Sequence, residues 1–325
     1  MGNDMRMYDS DTILNIQQIP ESLAVAGGGV IGCEYACMFS ALGIQVNLVE
    51  GRSRLLGFMD HEISATLAQS MRNMGIAIHL NDAIETVETC QSLSVKLESG
   101  TTIETGAVLA ATGSSGNTAG LGLDKIGIEA GRRGTIEVNE DYQTEVPHIY
   151  AVGDVIGFPA LASTSMEQAR VAMVHAFDLK YKTDIAHILP YGIYTIPECS
   201  MAGETEKSLQ EKRIDYVAGR TRYRTYARGQ IIGDDEGFLK LFFDFEEMKL
   251  LGVHILGEQA SELVHVGLTG LLTGADSDLF IQTCYNYPTL SEVYKYATYD
   301  ALSAKAWRLE DEDIAREAQR KVGVG

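Results

Sequence analysis

Residues 24–36 read Ala-Val-Ala-Gly-Gly-Gly-Val-Ile-Gly-Cys-Glu-Tyr-Ala. The apolar run before the glycines, Ser22–Ala26, predicts a short buried strand. The residues after them keep helical spacing up to Gly43, a natural helix stop. A chain that turns this sharply from strand to helix is building a βα unit. The spacing fits Gly-x-Gly-x-x-Gly at Gly27, Gly29 and Gly32, and a second strand, 45–50, ends in Glu50. Each part has a mechanical role in holding a dinucleotide. Gly27 allows the tight turn, Gly29 lets a pyrophosphate approach the backbone, and Gly32 lets helix and strand pack closely. The helix N-terminus offers N–H groups and its positive dipole end. Glu50 is placed to accept hydrogen bonds from a ribose diol. Arg52 and Arg54 lie just beyond it and are candidates to neutralise a 2′-phosphate, so the site reads as tolerant of NAD or NADP. A glycine-rich turn without a ligand, and two solvated loop arginines, are the plainer alternatives.

The order that follows extends the unit. "DHEISATLAQSMRNMG" opens on an Asp cap and closes on Gly, a second helix. "IAIHL" (76–80) is a third strand, and the runs from 83 to 113 alternate like a small meander that returns to the sheet. This is the order of a doubly wound α/β domain, expected over residues 20–135 after a linker of residues 1–19. Residues 136–186 change character, with a buried strand expected at 149–152 and a helix at about 161–179. From 187 to 305, strand-like runs surround helices at 204–212 and 258–273, an α+β pattern. The charged segment 306–325 reads as a solvated helix end followed by disorder.

The 325 residues carry 26 Lys and Arg against 45 Asp and Glu, a net charge of −19. So acidic a chain repels nucleic acid and anionic membranes, although a helix N-terminus still binds a local anion. No apolar run approaches the roughly 20 residues that span a bilayer. No apolar leader is read at the start, and Gly2 lacks the Ser/Thr that myristoylation requires. The cysteines Cys33, Cys37, Cys90, Cys199 and Cys284 are odd in number and scattered, which suits a reducing, cytoplasmic compartment. Cys33 and Cys37, four apart on one helix, read as packing residues rather than a redox or metal pair, and no metal site is expected.

"HIYAVGD" (148–154) delivers Gly153 and Asp154 at the end of an apolar run, where a carboxylate can bind polyol hydroxyls. Together "GGGVIGCEYA", "ATGSSGNT", "IYAVGD", "TIPECSMAGETE" and "YPTLSE" resemble the flavoprotein pyridine nucleotide–disulfide oxidoreductase family, over about residues 8–303. The resemblance implies an α/β fold with a Rossmann-like NAD(P)-binding domain, part of an FAD domain and a C-terminal α+β dimerisation domain. It implies FAD and NAD(P) as cofactors and a homodimer formed through residues 187–305. By position, Gly27, Gly29, Gly32 and Glu50 match the nicotinamide-nucleotide site; Arg52, and Gly113 in the "ATG" loop, are further candidate cofactor-binding residues. Glu34 matches a position near the nicotinamide ring and Asp154 the acid of the flavin's ribitol site, with Gly153 beside it a further candidate.

Three departures bear on the activity. The family's disulfide reductases carry His-Pro-Thr…Glu, where His is the base for thiol chemistry. This chain has Tyr287-Pro288-Thr289-Leu290-Ser291-Glu292. A tyrosine, with a free pKa of about 10, is a poor base at neutral pH, so reduction of dihydrolipoamide or glutathione is disfavoured. Tyr287 packing at a dimer interface is compatible with this. Gly116-Asn117-Thr118 looks like the family's transhydrogenase branch, which exchanges hydride between NADPH and NAD+. Ser114 stands where the family often has Arg, and nothing in the sequence explains it. The resemblance starts just before the nicotinamide-nucleotide domain, so the first FAD-binding glycine turn is not matched. The expectation is therefore a truncated transhydrogenase that holds FAD weakly and exposes apolar surface near Tyr150–Phe158. The alternatives are a non-catalytic NAD(P)-binding remnant and a dihydrolipoamide dehydrogenase-like enzyme.

Overall fold

The structure, a computed structural model, describes residues 5–89 and 91–322. Gly2 and Cys90 lie outside the described residues. The chain forms two compact units, Met1–Thr112 with Pro190–Gly325, and Gly113–Leu189.

In the first unit, β1 (Met7–Tyr8), β2 (Ser22–Ala26), α1 (Val30–Ala41), β3 (Gln45–Glu50), α2 (His61–Asn73) and β4 (Ala77–Leu80) lead into a hairpin-linked trio. These are β5 (Ile84–Thr89), β6 (Leu93–Leu97) and β7 (Thr102–Thr105), and β8 (Ala107–Ala110) follows. The main sheet has the order β1-β8-β2-β3-β4 and is parallel throughout. Its central strands are covered on both faces, so β2 reads as an unbroken apolar run rather than an alternating one. Leu23, Val25, Leu48 and Leu109 have no exposed surface. The antiparallel trio β5-β6-β7 is the expected meander. Asp60 caps α2 by accepting the Glu62 N–H at 3.0 Å, and α2 buries Ile63, Leu67 and Met71. One expectation changes here. The segment before residue 20 is not only a linker, because Met7–Tyr8 pairs with Val108–Leu109 as an edge strand.

The second unit holds α3 (Ala162–Ala176) and short 3₁₀ turns, including Gly153–Ile156. Its small core gathers Ile128, Ile136 and Ala151. The strand expected at 149–152 does not form. A strand needs a ladder, and among the described residues this segment has one isolated bridge, Gln143 with Tyr150. The bonds Thr144 N to Ile149 O and Ala151 N to Tyr142 O hold it as a local loop.

The chain returns to the first unit with β9 (Tyr191–Ile193), β10 (Cys199–Gly203), α4 (Glu206–Lys212), β11 (Tyr216–Arg222) and α5 (Ala227–Ile232). It continues through β12 (Phe238–Asp244), β13 (Leu250–Leu256), α6 (Ala260–Leu272), α7 (Ser277–Gln282) and α8 (Val293–Val322). The sheet β11-β12-β13-β10-β9 is antiparallel. Ile193, Cys199, Met201, Phe238 and Leu256 join the core under the parallel sheet. The expected solvated helix end is α8, which runs unbroken to Val322 and so leaves no disorder among the described residues of the charged segment. Residues 306–321 contain no Gly or Pro to stop a helix.

The packing of α1 on β2 depends on Gly32, where a Cβ would lie 1.8 Å from the Gly27 carbonyl oxygen. Gly32→Ala is expected to destabilise the chain by about 3 kcal/mol, as severe overpacking does. Gly29→Ala, where a Cβ meets nothing within 4 Å, is expected to leave thermal unfolding near wild type. Equal melting temperatures for Gly32→Ala and wild type would contradict this packing.

Candidate functional site

The glycine turn lies at the C-terminal edge of the parallel sheet, between β2 and α1. Gly27 has φ +109°, and a Cβ there would sit 2.5 Å from Ala111 O. Its N–H donates to Val49 O at 2.8 Å. Gly28, the middle glycine, lies outside the sequence fingerprint yet is tightly enclosed. A Cβ on it would fall 2.6 Å from Leu55 Cδ2 and 3.0 Å from Glu50 Cβ. Gly29 is the open position and caps α1 in an extended conformation. The first intrahelical bond runs from Cys33 N to Gly29 O at 3.0 Å. The N–H groups of the first turn therefore face outward, a ready anion site.

Glu50 is buried behind this turn and is engaged on both oxygens. Its Oε2 accepts from Gly28 N at 2.7 Å and from Arg52 Nη2 at 2.9 Å. Its Oε1 accepts from Arg52 N at 2.8 Å and Nε at 2.9 Å. The Arg52 hydrogen bonds, aided by the two backbone N–H groups and the guanidinium charge, hold the carboxyl at about 2 against burial. The same carboxylate raises the Arg52 pKa. The carboxylate thus already takes four hydrogen bonds, some of which a ribose diol would have to replace, and Arg52, with its side chain 61% exposed, is its partner. Arg54 braces the same loop by donating to Gly57 O at 2.7 Å. The loop after Glu50 was not singled out in the sequence. It seats Leu55 and Leu56 without exposure beneath the turn, with Leu56 N donating to Gly28 O at 2.9 Å.

Glu34, four residues into α1, accepts from Tyr194 N at 2.8 Å through Oε1. Cys33 and Cys37 are buried free thiols, raised in pKa mainly by desolvation, as is Cys199, pushed up to about 12. They pack as the sequence suggests and carry little thiolate at neutral pH.

Gly27, Gly29, Gly32, Glu34, Glu50 and Arg52 are gathered in the first unit, whereas Gly113, Gly153 and Asp154 belong to the second. Gly113 has φ +118° and is exposed. Gly153 N donates to Gln168 Oε1 on α3 at 2.7 Å, and Asp154 beside it is exposed. Gly116 is explained by a close approach, since a Cβ there would lie 2.2 Å from Gly134 O. Phe158 is 86% exposed, and the exposed apolar surface extends along α3 to Met166, Met173 and Phe177. In the first unit Tyr287 is exposed while Glu292 is buried.

The profile described as pyridine nucleotide-disulphide oxidoreductase matches residues 1–176, and that family's dimerisation domain matches residues 189–298. The chain belongs to the pyridine nucleotide-disulphide oxidoreductase family. The soluble pyridine nucleotide transhydrogenase of Yersinia enterocolitica is 42% identical over 302 residues, 92% of this chain and 65% of that protein. Its namesake in Yersinia pestis is 42% identical over 305 residues, 93% and 66% respectively. Among solved structures, LpdA from Mycobacterium tuberculosis superposes with a TM-score of 0.82 at 27% identity, over 90% of this chain and 64% of that one. The HOCl-induced flavoprotein disulfide reductase RclA of Escherichia coli gives 0.84 at 27% identity, over 89% and 67%. The chain thus spans just under two thirds of the length of these transhydrogenases. Among the described residues no helix is long and apolar enough to cross a membrane.

The folded pKa of Glu50 lies below its ordinary 4.5, at about 2. Its contribution to stability is therefore complete above pH 4.5 and is lost as pH falls towards 2. Glu50→Gln is expected to unfold more easily than wild type at pH 7, with the gap closing between these values. Denaturant titrations across that range check this, and a constant gap would contradict the assignment.

Proposed function

We propose that the chain is an oxidoreductase of the transhydrogenase type, which binds NADPH and NAD+ in turn at the Gly27–Glu50 turn. The observation that carries this reading is the open Gly29 at the head of α1, with outward N–H groups and the Glu50–Arg52 pair beside it. The turn offers a pyrophosphate its N–H donors. Once Arg52 swings off, Glu50 becomes an acceptor for a ribose diol and Arg52 a donor for a 2′-phosphate. One nucleotide site then serves both cofactors. Glu34 stands where the family places a carboxylate near the nicotinamide, held in orientation by Tyr194 N.

A bound flavin supplies the hydride relay between the two nucleotides. Residues suited to it are Asp154, exposed for polyol hydroxyls, and Gly153, locked to α3 by Gln168. Hydride transfer of this kind needs no side-chain base, which agrees with Tyr287 in place of His. The 42% identity to soluble transhydrogenases supports the same choice. We further read the chain as Si-specific, cytoplasmic and homodimeric through residues 187–305. Its domains are read as a nucleotide-binding domain at 20–135, a flavin-domain segment at 136–186 and a charged tail at 306–325. The exposure of Phe158 and of the α3 face favours a second reading, a chain that binds NAD(P) but retains FAD weakly and turns over little.

NADPH oxidation by thio-NAD+, measured with and without added FAD, separates the two. Turnover that tracks bound flavin supports the enzyme, and nucleotide binding without turnover supports the second reading. Gly29→Ala is expected to weaken NADH and NADPH binding about tenfold or more at unchanged fold, because the methyl occupies the pyrophosphate's approach. Unchanged affinity would contradict the proposed site.

A further inference from the structure

Strand β12 reads Phe-Leu-Lys-Leu-Phe-Phe-Asp, and its lysine is buried with its neighbours. The Lys240 side chain is 1% exposed, and that of Asp60, on the nucleotide-binding part of the same unit, is fully covered. The ammonium lies 3.1 Å from Asp60 Oδ1, 3.3 Å from Glu62 Oε2 and 3.3 Å from Glu206 Oε2. Arg220 of β11 adds a second cation to Glu62 at 2.9 Å. Taking a lysine and an aspartate out of water is costly, and an apolar pair of similar volume is often at least as stable. Stability alone therefore does not account for this cluster, so its location is informative.

Asp60 is the N-cap of α2, and it ends the loop that begins at Glu50. Inside that loop Met59 N donates to Leu56 O at 2.8 Å, and Leu56 N donates to Gly28 O at 2.9 Å. Ser64 Oγ, in the first turn of α2, donates to Leu55 O at 2.6 Å. Leu55 in turn closes on Gly28, whose N–H is held by Glu50. A continuous set of contacts thus runs from β12 through Asp60 and residues 55–59 to the middle glycine of the turn. Lys240 is its only cation that is fully buried among the described residues.

We propose that Lys240 is a positioning residue for the nucleotide site: from the antiparallel sheet it fixes Asp60, and through the Gly51–Met59 loop it holds the glycine turn and Arg52 in binding geometry. This rests on the reading of that turn as the NAD(P) site. Nucleotide binding and the Lys240 cluster are then energetically linked, and the linkage runs in both directions.

The test uses the full chain and NADH as the probe. The double variant Lys240→Met/Asp60→Asn removes both buried charges while Asn keeps the cap. Its dissociation constant for NADH is expected to rise about fivefold or more, the lower range for linked sites, at a temperature where its circular dichroism matches wild type. A native spectrum with wild-type affinity and only a lower melting temperature would make Lys240 merely structural and overturn the proposal. Hydrogen exchange on the wild-type chain gives an answer even if the variant fails to fold. NADH is expected to slow exchange in residues 51–62 and also in 204–209 and 238–244. Protection confined to residues 26–62 would overturn the linkage. A wild-type chain that binds no NADH would instead sink the nucleotide reading, and this proposal with it.

Discussion

Everything at the candidate site depends on how closely α1 approaches the end of β2. Gly32 is pressed against the Gly27 carbonyl, at a distance no side chain allows. That contact aims the helix N-terminus at the space above Gly29 and lets the turn close against Ala111 at the end of β8. A parallel sheet covered on both faces supplies the rigid frame, and an anion-binding helix end is the consequence.

The second constraint is electrostatic. Glu50 stays ionised behind the turn because Arg52 and two backbone N–H groups share its charge. The carboxylate is therefore a structural brace as well as a candidate ligand for ribose. A nucleotide must trade one set of hydrogen bonds for another, and that exchange is where discrimination between NAD and NADP would arise.

Much of this was legible in the sequence, because it is local. The strand, turn, helix and second strand lie within 29 residues, 22–50, and their glycine spacing and terminal carboxylate are fixed by the same short-range geometry. What the sequence hid depends on distant partners. Gly28 is required by Leu55 and Glu50, which come later in the chain than α1 and close on it only in the fold. Lys240 is not marked by any motif, although a lysine inside "FLKLFFD" is the available signal. The segment 149–152 has the composition of a strand, but a strand exists only where another offers its ladder. The helix end beyond Trp307 was expected but not its reach to Val322, because its charged composition reads equally as a solvated helix or a disordered tail.

The most direct test of the account is a crystal structure of the chain with NADH. The pyrophosphate is expected within about 3 Å of N–H groups in the first turn of α1, with the adenine-side ribose at Glu50 and Arg52. A nucleotide bound elsewhere, or a glycine turn left in solvent at saturating NADH, would contradict it.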